Sequence, residues 1–187
     1  MSPTLLAAIC ALSMLSTDGA RAVSASGHAG ATAQSAPLPE YQAKARYIGV
    51  LAEFVTWPGG PEADQSLVLG VIGRSPFEAN LEEEFARRQV KGRKVRVEYF
   101  QNVNGIRNCQ ILFICESESD RIAEILAALR GSPVLTVGDS QGFAQRGVMV
   151  NILLEQRRVN LDINLTTLRQ TGLEISSHVL KLAKNVY

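Results

Sequence analysis

The segment from Cys109 to Asn164, CQILFICESESDRIAEILAALRGSPVLTVGDSQGFAQRGVMVNILLEQRRVNLDIN, limits what this chain can become more than any other part of it. Gln110 to Cys115 is a short continuous apolar run, suited to a strand covered on both faces. Ser117 then stands where a helix cap is wanted, ahead of a stripe of Ile122, Ile125, Leu126 and Leu129 that Gly131 ends. Val134 to Val137 is a second short strand, followed by the glycine-rich turn Gly138 to Gly142. Val148 to Leu154 and Val159 to Asn164 flank the polar tip Glu155 to Arg158 and read as an antiparallel hairpin. A strand joined through a helix to another strand of the same sheet requires a parallel pair and a right-handed crossover.

The upstream sequence repeats this alternation. Tyr41, Ala45, Ile48, Leu51, Ala52 and Val55 form one face of a helix over residues 40–55, which Trp57-Pro58-Gly59-Gly60 stops. Leu67 to Ile72 is a second fully apolar strand. Ser75, Pro76 and Glu78 have the spacing of a capping box that opens a helix running to about Gln89. Arg93 to Tyr99 alternates charged and apolar residues, as a strand with one wet face does. Ser176 to Val186 is expected to be helical, with Val179, Leu182, Ala183 and Val186 turned inward. Together these elements predict an α/β fold: a three-layer sandwich with a mainly parallel sheet, helices on both faces and a C-terminal antiparallel hairpin.

Residues 1–22 read as a secretory signal peptide. The apolar run Leu5 to Leu15 is too short to span a membrane, which takes about 20 residues, and Ala20-Arg21-Ala22 has the small-x-small form of a cleavage site. The segment before the run, MSPT, contributes no Lys or Arg. Cys10 is not placed for lipidation, because Ile9 precedes it where a small residue is needed. Residues 23–39 are small and polar without periodicity, a disordered leader that carries His28, so the folded domain is expected over 40–187 and the product in the periplasm. The chain has 19 basic and 18 acidic residues, so no general field draws it to nucleic acid.

Cys109 and Cys115 are the two cysteines of the folded part. A strand between them separates them by about 20 Å, whereas a disulfide needs Cα atoms about 4.4–6.8 Å apart. Two buried thiols, or pairing between chains, are the readings left. No His or further Cys stands at zinc-ligand spacing, and no G-x-G-x-x-G or P-loop is present, so neither a metal nor a cofactor is expected.

Six residues are candidates for partner or ligand contact: Trp57, Asp139, Ser140, Asn164, Arg169 and His178. Trp57, the one tryptophan, suits a core anchor or, if exposed, an interface. Asp139 and Ser140 lie in the turn after a strand, at the edge where open α/β sheets meet ligands. Asp139 and Asp162 are a candidate carboxylate pair, and Arg169 could pair with Asp162 or face a partner. His178, with Glu174 and Ser177 nearby, is more simply explained by helix capping than by catalysis. A non-enzymatic role follows as the expectation.

In order along residues 41–187, the chain resembles the YfiR family of periplasmic regulators, the DUF4154 domain. The residues that carry the resemblance are Phe54, Trp57 and Pro58; Gly73, Pro76 and Phe77; Gly92 and Arg93; Cys109 with Ile111 to Ile114; Leu135 to Val137 with Gly142 and Phe143; Ile163-Asn164; Gly172 to Ser177; and Leu180 to Ala183. Leu161 departs from the family's usual Phe. No cysteine lies in the Leu67 to Ile72 strand, where some relatives supply a disulfide partner for the cysteine at 109. The resemblance implies a periplasmic inhibitor of an inner-membrane diguanylate cyclase or related receptor, in cyclic-di-GMP signalling, acting by contact as a homodimer. In the family's systems an outer-membrane OmpA-like lipoprotein relieves the inhibition. A small-molecule-binding sensor that uses the Gly138 to Gly142 crevice is the alternative.

Overall fold

The computed structural model describes residues 40–59, 66–156 and 158–187. Residues 1–22, read as a signal peptide, residues 23–39, read as a leader with His28, and Gly60 and Arg157 lie outside the described residues. In chain order the elements are α1 (Glu40–Glu53), β1 (Val55–Thr56), β2 (Leu67–Ile72), α2 (Asn80–Arg87), β3 (Gln89–Val90), β4 (Arg93–Phe100), β5 (Ile111–Ile114), α3 (Ile122–Ala128), β6 (Leu135–Gly138), β7 (Val150–Glu155), β8 (Arg158–Ile163), α4 (Leu165–Gln170), β9 (Glu174–Ile175), α5 (Ser177–Leu182) and β10 (Asn185–Val186). Turns of 3₁₀ helix at Ile106–Asn108 and Glu116–Arg121 flank β5.

Eight strands form one sheet in the order β10-β8-β7-β6-β5-β2-β4-β3. The pairs β4–β2, β2–β5, β5–β6 and β6–β7 are parallel, and β7–β8 is the expected antiparallel hairpin. Side chains alternate between faces along each strand, and the two faces carry separate cores. Leu67, Leu69, Val71, Ile111, Phe113, Leu135 and Val137 pack with α1, α2, α4 and α5. Val68, Ile72, Leu112 and Ile114 pack with Ile122, Ile125 and Leu129 around α3. Burial on both faces explains why these strands are continuously apolar. The three-layer α/β fold with a mostly parallel sheet is therefore established.

Several boundaries differ from those the sequence suggests. The first helix ends at Glu53, and Val55, expected on its apolar face, instead begins β1, which pairs with β9. The second helix starts at Asn80: Ser75 Oγ accepts from the Phe77 amide at 3.3 Å, and Glu78 adopts φ 51°. Phe77 turns fully inward onto Tyr41 and Phe113, ring centroids 5.3 and 4.7 Å away, and this packing outweighs the local cap. Ser117 does not cap α3; the chain passes first through a 3₁₀ turn and the Ser117 hydroxyl accepts from the Arg74 amide at 2.9 Å. The last helix stops at Leu182, and the chain then runs parallel to β8 as β10, with the Tyr187 amide donating to the Ile163 carbonyl at 2.8 Å. Leu182 and Val186 are consequently exposed instead of inward, at 75% and 48%.

Candidate functional site

Within the parallel part of the sheet, β4 lies on one side of β2, whereas β5 and then β6 lie on the other. Winding direction thus reverses between β2 and β5, and a crevice opens beyond the carboxyl ends of strands at such a switch point. Here Tyr41, Arg74, Pro76, Glu116, Ser117 and Asp139 line a pocket of about 480 Å³. Gly73 makes the first wall possible: its φ is +96°, and a Cβ there would stand 2.5 Å from Ser117 Oγ.

Asp139 of this lining is held by Lys44. Lys44 Nζ lies 2.8 Å from Asp139 Oδ2, and the two side chains are only 3% and 5% exposed. The ammonium also meets Glu40 Oε1 at 2.5 Å, and the Tyr41 ring lies under it at 4.6 Å. Burial by itself would depress the Lys44 pKa, but hydrogen bonds to Asp139 and Glu40 outweigh it and hold the group above the usual lysine value. Burial, then the Asp139 charge, push the Tyr41 phenol up. Burial pushes the Cys115 thiol up to about 12, with Asp139 and Glu118 adding to it. Of these groups Tyr41 and Asp139 line the pocket, and Asp139 is engaged with Lys44.

The loop after β6 is anchored from below. Asn151 Nδ2 donates to the Ser140 carbonyl and Asn164 Nδ2 to the Ala144 carbonyl, each at 2.8 Å. Gly138 leaves room for Phe143, whose ring a Cβ at 138 would meet at 2.5 Å. Of the six sequence candidates, Asp139 lines the crevice and Ser140 follows it. Asn164 is buried and also caps α4, its Oδ1 accepting from the Thr167 amide. Trp57 is a core residue whose Nε1 donates to the Gln110 carbonyl at 3.1 Å.

Arg169 and His178 are exposed, and the Ser176 hydroxyl lies 3.3 Å from His178 Nδ1. Asp162 is buried and accepts from Asn185 Nδ2 at 2.7 Å, and Asp139 pairs with Lys44. Cys109 and Cys115 are both buried free thiols.

Tyr41, Lys44, Arg74, Glu116 and Ser117 were not legible as site residues. Lys44 alone left a trace: it lies four residues before Ile48 and seven before Leu51, inside the apolar stripe of α1, where a charge needs a partner.

These features define a three-layer α/β domain with an anchored strand-end crevice. The chain belongs to the DUF4154 (YfiR/HmsC-like) family, whose model matches residues 41–184. That family is one of periplasmic regulators. No curated protein matches the sequence significantly. Among solved structures, the chain is similar to a conserved domain protein from Vibrio cholerae O1 biovar El Tor strain N16961, at 14% identity and a TM-score of 0.55, covering 81% of this chain and 62% of that one. It is also similar to an ABC domain in complex with L-Trp from Streptococcus pneumoniae, at 13% identity and a TM-score of 0.54, covering 79% of this chain and 60% of that one. At such identities the likeness concerns the fold. The chain spans about three fifths of the length of each of these structures. No described helix is long and apolar enough to cross a membrane.

Proposed function

We propose that the protein is a periplasmic, non-enzymatic regulator that holds an inner-membrane diguanylate cyclase inactive by binding its periplasmic part. Family membership over residues 41–184 carries this reading. The chemistry of the polar residues supports it: Asp139 is spent on Lys44, burial pushes both thiols up to about 12, and the His178 ring meets the Ser176 hydroxyl. So does the surface, where Leu182, Val186 and Tyr187 present 75%, 48% and 40% of their area to solvent around the terminal strand. Exposed apolar side chains grouped in this way suit a protein contact. Regulation would then consist of preferential binding to one receptor state, which shifts the receptor population by the difference in affinity. In this reading the regulator is a homodimer, and an OmpA-like lipoprotein of the outer membrane competes for it. Deletion should raise cyclic-di-GMP, and the tagged protein should capture a membrane cyclase. Unchanged cyclic-di-GMP together with no captured receptor would end this reading.

The crevice favours a second reading, a sensor for a small polar metabolite. Its rim sets the Arg74 guanidinium and the Glu116 carboxylate around one pocket at the switch point. A ligand present at 100 times its Kd would add about 2.7 kcal/mol to stability, a shift readable by thermal denaturation against a periplasmic metabolite panel. Absence of any shift would remove the sensor and leave the regulator standing.

A further inference from the structure

We propose that the solvent face of α1 is the homodimer interface, with the helices of two copies paired antiparallel about a two-fold axis. The inference rests on the dimer of the reading above and names its surface. Helix α1 turns Ala45, Ile48, Leu51 and Ala52 into the core. A surface helix of this kind ordinarily shows solvent a polar face. Here the opposite face is apolar as well: Tyr47 is 39%, Val50 37% and Phe54, in the turn that closes the helix, 42% exposed, with Ala43 half-buried in line with them. The steps from 43 to 47, 50 and 54 are the four-three-four spacing of a coiled-coil seam.

Ala43, Arg46, Tyr47 and Val50 surround an open depression of about 370 Å³. They stand at i, i+3, i+4 and i+7, the four corners of a hole that receives a knob from a facing helix.

A second copy fits this face in one orientation. With the axis passing between Tyr47 and Val50, each Ala43 faces the other copy's Phe54 and each Tyr47 the other's Val50, small against large in every layer. Arg46 and Glu53 flank the stripe on one side, so the same register brings each Arg46 beside the second copy's Glu53, twice by symmetry. Arg46 has no ion-pair partner among the described residues. Glu53 accepts from the Lys91 amide at 3.1 Å, which leaves its carboxylate further lone pairs. A parallel pair would instead stack Phe54 on Phe54 and Ala43 on Ala43, and would leave both charges without a counterpart. The helix has 14 residues and is about 21 Å long. The interface therefore falls at the small end of stable contacts, and the dimer should depend on concentration.

Sedimentation equilibrium of the processed protein tests this. The wild type should associate reversibly, and Arg46→Glu and Glu53→Arg should each weaken association about tenfold, because two attractive pairs become repulsive. An equimolar mixture of the two single variants should recover the affinity, since one copy then presents two acids and the other two bases. Should Glu53→Arg unfold for want of its bond to Lys91, Val50→Lys at an exposed site replaces it and should yield a folded monomer. A wild type that stays monomeric at every concentration, single variants that associate normally, or a mixture that fails to recover would each overturn the interface. A monomeric α1 variant that still controls cyclic-di-GMP sinks this interface as part of the mechanism and leaves the regulatory reading intact. An unaltered dimer whose deletion leaves cyclic-di-GMP unchanged sinks the regulatory reading instead.

Discussion

Lys44 and Asp139, 95 positions apart in sequence, meet at 2.8 Å beneath the switch-point crevice and tie the first helix to the end of β6. Both side chains are shielded from solvent, and Lys44 is the counter-ion of the Asp139 carboxylate, while the ammonium has Glu40 as a second partner. Lys44→Ala should cost about 3–5 kcal/mol, because it leaves the Asp139 carboxylate buried without a counter-ion. Replacing both groups by apolar residues of similar size, Lys44→Met with Asp139→Leu, should recover most of the loss. Urea unfolding of the single and double variants measures the coupling, and strictly additive costs would show that the pair does not act as a unit.

Gly70 sits under the Cys109 thiol. A Cβ there would lie 2.6 Å from Sγ, 2.9 Å from the Phe100 ring and 3.0 Å from Leu112. Gly70→Ala should therefore destabilise the fold by about 1–3 kcal/mol through overpacking. Gly70→Cys places a second sulfur within reach of the first. Under oxidising conditions it should bridge to Cys109 and recover stability, which non-reducing mass spectrometry and thermal melts would reveal.

Alkaline conditions should weaken the fold. Burial pushes both thiols from an ordinary value of 9.0 up to about 12, with the Glu98 charge adding at Cys109 and the Asp139 and Glu118 charges at Cys115. From about pH 9 to 12 the unfolded chain has lost protons that the folded chain keeps, so stability falls as pH rises through that window. The raised Lys44 pKa acts in the same direction: its contribution is complete below 10.5 and is lost as pH rises through the folded value. Denaturant midpoints should thus be flat to about pH 8.5 and decline above it. The native thiols should also resist a disulfide reagent at pH 8 until the protein unfolds; rapid native labelling would contradict this.

Trp57, the single tryptophan, reports on the core. Its emission should be blue-shifted in the folded state and should move red on unfolding. Trp57→Phe retains most of the packing but removes the donor to the Gln110 carbonyl, at a cost of about 1–3 kcal/mol.

At Gly73 the backbone itself forbids a side chain. Gly73→Ala should cost about 1–3 kcal/mol from its positive φ and from the approach to Ser117 Oγ at 2.5 Å. Ser117→Ala should cost about 1 kcal/mol by leaving the Arg74 amide without its acceptor. If both variants melt with the wild type, the description of the crevice wall is wrong.

The elements whose burial is periodic were legible in the chain alone. Leu67 to Ile72 and Ile111 to Ile114 had to be strands covered on both faces, the Ile122 to Leu129 stripe had to be a helix, and their alternation required a parallel sheet. These follow from local spacing, because each residue's side of the element is fixed by its neighbours in sequence. Only the tertiary structure decided the rest. It joined Lys44 to Asp139, drew Phe77 inward at the expense of a capping box, moved Ser117 from a helix cap to Arg74, and gave the last residues the free edge of β8 instead of another helical turn. Each of those outcomes depends on a partner distant in sequence, and a local pattern cannot specify a contact that exists only once the layers have been brought together.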